Sequence, residues 1–137
     1  DTVDRIFSAG IWTEIVTLVI PNYNDSNEEL TSIAEFIASI SKNIPWHVTA
    51  FHPDYKMKDR ETTPTTTLLT ARRLGKQAGL KFVYSGNSPG KVENSENTYC
   101  PECDELLVTR IGFRVKNNFL HNGSCFNCLE AIAGRWL

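Results

Sequence analysis

The chain has 137 residues, a net charge of −2 and 41% hydrophobic content, which suits one ordinary domain or a domain with a small added module. That charge balance offers no basic field for nucleic acid or an acidic membrane, and no run of 18 apolar residues is present to span a bilayer. Asp1 to Arg5 has no signal-peptide character, so the expectation is a cytoplasmic protein in reducing surroundings.

Val3, Ile6 and Phe7 share one helical face, and Ala9-Gly10 reads as a helix end with Gly at C′. The chain therefore opens inside a helix, as if further sequence preceded it. Ile11 to Ile20 (IWTEIVTLVI) is β-branched and carries only Glu14 as a charge, which predicts a parallel strand covered on both faces. Pro21 stops it. Ser26-Asn27-Glu28-Glu29 is a capping box, and Leu30, Ile33, Ala34, Ile37 and Ile40 give the stripe of a helix running to about Lys42. Trp46 to Phe51 predicts a second strand, ending in His52-Pro53. The charged stretch after it, with Lys56, Lys58, Asp59, Arg60 and Glu61, has the length of a functional lid.

Thr63-Pro64 predicts an N-cap and first helical residue, with Leu68, Ala71, Leu74 and Ala78 buried and Gly79 at the end. Lys81 to Tyr84 is the third predicted strand, followed by a Gly/Pro-rich loop over residues 85–90. The alternation of strands and helices implies βαβ crossovers and a parallel sheet. Three strands cannot close a barrel, so the fold class is α/β, an arc or a small open sheet. Such an arc leaves two unpaired edges and one bare face. Residues 1–90 form this unit, 91–97 a polar linker, and 98–137 a second module.

All four cysteines lie in that module, as Cys100-Pro101-Glu102-Cys103 and Cys125-Phe126-Asn127-Cys128, with 21 residues between the pairs. Two CxxC turns can aim four thiolates at one tetrahedral ion, so Cys100, Cys103, Cys125 and Cys128 are the candidate metal ligands. Zn²⁺ suits this set. A rubredoxin-like iron and a pair of disulfides are the alternatives. Leu106–Arg110 and Phe113–Val115 predict a hairpin around Gly112, and Ala131–Trp136 a last strand, completing a zinc-ribbon-like pattern. The residue after a CxxC turn needs φ > 0, which Asp104 tolerates and Leu129 resists.

The carboxyl ends of the three strands fall on one rim, where α/β folds gather ligands. His52 is the imidazole placed there, either as a ligand group or as a local turn cap. His47 begins its strand on the opposite rim and reads as structural, and His121 stands beside a knuckle already supplied with four thiolates. Asp54, Asp59 and Glu61 lack a paired-carboxylate spacing. Trp12, Trp46 and Trp136 read as packing residues, and the 86–90 loop lacks the phosphate-binding glycine motifs.

The strings VTLVIPNYNDSNEEL (16–30), PWHVTAFHPDYKM (45–57), TARRLGKQAGL (70–80), FVYSGNSPG (82–90), NTYCPECDELLVTRIGF (97–113) and IAGRW (132–136) occur in one order. Together they resemble the C-terminal half of the AmmeMemoRadiSam-system radical SAM enzymes, relatives of the pyruvate formate-lyase activating enzyme. The resemblance implies a partial radical SAM (β/α) barrel followed by a metal-binding tail. It implies that Val19, Ile20 and Pro21 pack near the adenine of S-adenosylmethionine and that His52 lies near its ribose. Asn87 sits in the family's G-N at the barrel mouth, with no role assigned.

The CxxxCxxC triplet that holds a [4Fe–4S] cluster in such enzymes is absent. The chain is therefore expected to lack catalysis alone and to pair with a missing N-terminal barrel half or with itself. The alternative is a zinc-ribbon protein-interaction module. Residues 98–137 carry four basic (Arg110, Arg114, Lys116, Arg135) and four acidic (Glu102, Asp104, Glu105, Glu130) side chains, which favours a protein partner over nucleic acid.

Overall fold

The computed structural model describes residues 2–136. Helix α1 (Thr2–Ser8) leads to strand β1 (Ile15–Val19), helix α2 (Asn27–Ile40), strand β2 (Trp46–Ala50), helix α3 (Thr65–Gln77) and strand β3 (Val83–Gly86). These strands form a parallel sheet in the order β1-β2-β3, with Ile15 paired to Trp46 and Trp46 to Val83. Strands β4 (Thr98–Tyr99), β5 (Leu106–Ile111) and β6 (Arg114–Asn118) form a separate antiparallel sheet around the cysteines.

The helices end as their sequences dictate. Gly10 takes φ 76°, with Gly10 N donating to Phe7 O and Ile11 N to Ile6 O, a Schellman closure of α1. Gly79, at φ 95°, closes α3 in the same way through Lys76 O and Gly75 O. Ser26 Oγ accepts from Glu29 N at 3.2 Å, the N-cap half of the predicted capping box. Thr63 is not the cap of α3. Pro64 holds that position, and the buried Thr63 hydroxyl accepts from Phe51 N at 2.8 Å and donates to Val19 O. It thus ties the ends of β1 and β2 together.

One face of the parallel sheet packs on α2 and α3. Val19, Trp46, Val48, Ala50 and Val83 meet Leu30, Ala34, Ile37, Leu68 and Ala71 in one apolar core, in which each Val, Leu or Ile side chain is worth roughly 1.5–3 kcal/mol of burial. Trp46 spends its polar atom inside the core, donating Nε1–H to Thr17 Oγ1 at 2.9 Å. Gly75 lets α3 approach closely, since a Cβ there would stand 2.9 Å from both Trp46 and Val83. Phe7 of α1 packs against the same core.

The opposite face corrects the expectation of a strand covered on both sides. Val16 is 65% exposed and Leu18 42%. Strand β1 is also shorter than predicted. Its partner β2 begins only after Pro45, which has no N–H to give, so residues 11–14 find no ladder. The β3 flank of this face is covered instead by the cysteine module. Phe82 joins Leu107, Val108 and Ile132 in a second core, with Tyr84 packed against it.

Residues 91–97 are a packed connection. Val92 is buried in the first core, and Ser85 N donates to Ser95 O along the outer edge of β3. The Glu96 carboxylate accepts from Gly90 N at 2.9 Å and from Gly112 N at 2.8 Å, clamping the β5–β6 turn to the loop after β3. The predicted last strand over residues 131–136 is absent beyond a single bridge from Ser124 to Ala131. Gly134 lets the chain fold back, and Trp136 donates Nε1–H to Ile132 O at 2.8 Å.

Candidate functional site

Each CxxC pair sits on the same backbone turn. In the first, Asp104 N donates to Cys100 O and Cys100 N to Glu105 O. In the second, Leu129 N donates to Cys125 O and Cys125 N to Glu130 O. Both turns pass through a left-handed residue, Asp104 at φ 57° and Leu129 at φ 66°. The knuckle therefore forms in spite of a leucine where glycine is easier. Its side chain, 76% exposed, makes no packing claim that would oppose the turn.

The turns bring Cys100, Cys103, Cys125 and Cys128 together with all four sulfurs within 4.8 Å of one another. Cys100 Sγ lies 3.5 Å from Cys128 Sγ, and Cys103 Sγ 3.7 Å from Cys125 Sγ. These contacts are far longer than an S–S bond of about 2.05 Å, and all four thiols are free. Sulfurs placed about 2.3 Å from a tetrahedral ion stand roughly 3.8 Å apart, so the cage fits one metal ion. No carboxylate or imidazole joins the group among the described residues, and His121 stays outside it.

The electrostatics suit a cation. The Glu105 backbone N–H, acting against desolvation and helped by hydrogen bonds with the Cys128, Asn127 and Cys100 side chains, holds the Cys103 thiol down to about 7. At Cys128 the Glu130 N–H acts to lower the pKa, but desolvation and the three facing sulfurs together push it up to about 12. Burial raises Cys100 against the N–H groups of Glu102 and Cys103. Cys103 thus ionises readily, whereas Cys100 and Cys128 resist it. A divalent ion removes that conflict, because every ligand can then be a thiolate.

The strand-end rim is a second candidate. His52 is exposed and its Nε2–H donates to Asn87 O at 2.7 Å, while Asn87 Nδ2 donates to Ala50 O at 3.1 Å. Asn87 makes this link from a left-handed φ of 58°. The bond leaves Nδ1 of the neutral ring as an outward acceptor. Arg60 crosses from the charged loop, donating to Pro21 O at 3.0 Å and lying 5.8 Å over the Tyr23 ring. Val19 does not reach the rim surface: its side chain is fully buried on the helix side and its carbonyl is taken by Thr63. Pro21 is buried and Ile20 half-buried. The N–H of Gly90, in the loop considered for anions, is already satisfied by Glu96.

A polar group on the open sheet face was not read from the sequence as a unit. Glu14 Oε2 accepts from His47 Nε2 at 2.7 Å, and its other oxygen accepts from Trp12 Nε1 at 2.8 Å. His47 stacks on Tyr84 at 5.2 Å, whose hydroxyl meets Thr98 Oγ1 at 3.0 Å. Desolvation raises the Tyr84 pKa. The residue types alone give no signal for this chain of contacts, because it joins the segment before β1, strands β2 and β3, and the cysteine module.

No family model matches the chain, and no solved structure matches it. It is similar to uncharacterized protein MJ0808 of Methanocaldococcus jannaschii, with 44% identity over 126 residues that cover 90% of this chain. The chain spans only 37% of that relative's length. No helix among the described residues is long and apolar enough to cross a membrane.

Proposed function

We propose that this chain is the C-terminal part of a radical SAM enzyme, an arc of its (β/α) barrel closed at one end by a structural zinc-ribbon-like module. The observation that supports the reading is the three-stranded parallel sheet. Three neighbouring parallel strands, joined by helices on one face, align Pro21, His52 and Asn87 at their carboxyl ends. Ligands in such folds collect at that end.

In the complete protein, Ile20 and His52 would hold S-adenosylmethionine, His52 on the ribose side, with the buried Pro21 shaping the rim beneath them. Val19 supports the rim from the core side rather than touching the ligand. With a reduced [4Fe–4S] cluster held by the other part of the protein, such a cofactor would supply radical hydrogen-abstraction chemistry at this rim. The cluster's CxxxCxxC ligands are not in this sequence, and its four cysteines are consumed in one closed site, so the chain alone is inactive. Zn²⁺ is the ion that best suits a closed four-thiolate cage with a structural duty, with iron as its rival.

A second reading, a protein-interaction ribbon without catalysis, draws on the hairpin, where Ile111, Phe113 and Val115 are exposed at its tip. Anaerobic reconstitution with iron and sulfide, followed by assay for 5′-deoxyadenosine, separates the two. The chain alone is expected to form none, and the chain assembled with the remainder of the relative is expected to form it. Turnover by the chain alone overturns the fragment reading, and silence of the assembly favours the interaction module.

A further inference from the structure

We propose that the free edge of β1 is the docking seam for one further parallel strand, supplied by polypeptide of the kind that the longer relative carries outside the matched region. The inference rests on the half-barrel reading above and names where and how the other part attaches.

The strand edges of the two sheets differ in how they are guarded. The outer edge of β3 is taken, since Ser85 N donates to Ser95 O and Val92 tucks into the core beside it. The edge strand β6 carries Arg114 and Lys116, and its register with β5 shifts at Thr109/Arg110, a bulge. Charge and bulging are the usual devices against stray pairing. Strand β1 has none of them. Ile15 to Val19 contains no charge, no proline and no register shift. Ile15 N faces β2, donating to Pro45 O, so alternation turns the backbone groups of Val16 and Leu18 to the free edge. Among the described residues, Asn24 alone meets this edge, and only at its carboxyl end: its Nδ2 donates to Leu18 O at 3.0 Å and its Oδ1 accepts from Ile20 N at 2.7 Å, which leaves the Val16 N–H and C=O and the Leu18 N–H open.

The same residues carry the uncovered apolar surface. Val16 and Leu18 lie on the face away from α2 and α3, 65% and 42% exposed. The ribbon covers the β3 flank of that face and leaves the β1 flank bare. An incoming strand at β1 would pair the edge and shade both side chains.

Helix α1 sets the polarity. Its Phe7 packs on the core that α2 and α3 share, so α1 lies on the helix-covered face. A helix leading into β1 on that face stands where the crossover of one more βαβ unit belongs. Such crossovers join parallel neighbours and are right-handed, so the strand that fits is parallel to β1. In the relative, 63% of the length lies outside the matched portion, ample for further units of this kind.

The test mixes this chain with the part of the Methanocaldococcus jannaschii relative that lies outside the matched residues, and follows complex formation and amide exchange together. The expected result is a one-to-one complex in which the Val16 and Leu18 amides slow by at least about tenfold. Val16→Pro removes an edge N–H without touching the β2 ladder, and is expected to weaken the complex by at least about tenfold. Leu18→Lys, which alters only an exposed side chain, is expected to weaken it likewise and guards against misfolding of the proline variant. A complex that leaves both amides unprotected overturns the seam. So does failure to form a complex, or protection of the same amides by self-association of the chain alone. A complex protected at β1 that forms no 5′-deoxyadenosine upholds the seam and instead defeats the radical SAM reading.

Discussion

Leu129 holds a left-handed backbone that its Cβ disfavours by about 1–2 kcal/mol. Because the side chain is exposed, Leu129→Gly gives up no packing. Allowing for the greater freedom of glycine when unfolded, the variant should be roughly 0.5–1 kcal/mol more stable, read as a higher midpoint in thermal unfolding of the metal-loaded protein. Thr63 is the converse case. Thr63→Val keeps the shape but strands Phe51 N–H and Val19 O in a buried position, and should cost about 2 kcal/mol in urea titration. The cysteines were legible as single residues because their spacing is itself the geometry of the knuckle. Thr63 was legible only as a helix cap. Its true partners lie 12 and 44 residues away in sequence, where local pattern carries no information. The Glu14–His47 pair was hidden for the same reason, as it spans 33 residues.

At the scale of elements, composition found the helices and the order of the strands, because amphipathic stripes and capping residues act locally. It misplaced strand limits, because a strand ends where its partner ends. Ile11 to Glu14 are β-branched or aromatic in part, yet Pro45 gives them no donor to pair with. Strand β3 runs on to Gly86 because Thr49 of β2 is there to receive it, and a Cβ at Gly86 would meet Thr49 at 2.8 Å. Strand β4 was missed because two residues at the end of a polar stretch carry no periodicity. That stretch also looked like a linker, although Glu96 fastens it. Glu96→Ala should free the Gly90 and Gly112 amides together, raising their exchange rates by about tenfold or more while the α2 amides stay protected. Independent loosening of one amide without the other would contradict the clamp.

Among the described residues the molecule has two cores on either side of residues 82–84, Val83 belonging to the first and Phe82 and Tyr84 to the second. The sheet and its helices have an apolar core of their own, whereas the small core of the cysteine module includes Cys100 and Cys125. Chelation should therefore unfasten residues 98–136 and leave most helical circular dichroism intact. Loss of all secondary structure in one step would mean that the two cores fold as one. The parallel sheet, the knuckles and the alternation were visible in sequence, but the asymmetry of the open face was not. It depends on the cysteine module folding back over the β3 flank, a long-range packing event.

The central claim is that this chain holds one closed metal ion and no cluster of its own, which places any chemistry at the strand-end rim of a larger assembly. X-ray absorption at the zinc and iron edges of the purified chain tests it most directly. The account predicts a single shell of four sulfurs at about 2.3 Å with no metal neighbour beyond it. A metal–metal scattering shell would contradict it, by showing an iron–sulfur cluster in the cage formed by Cys100, Cys103, Cys125 and Cys128.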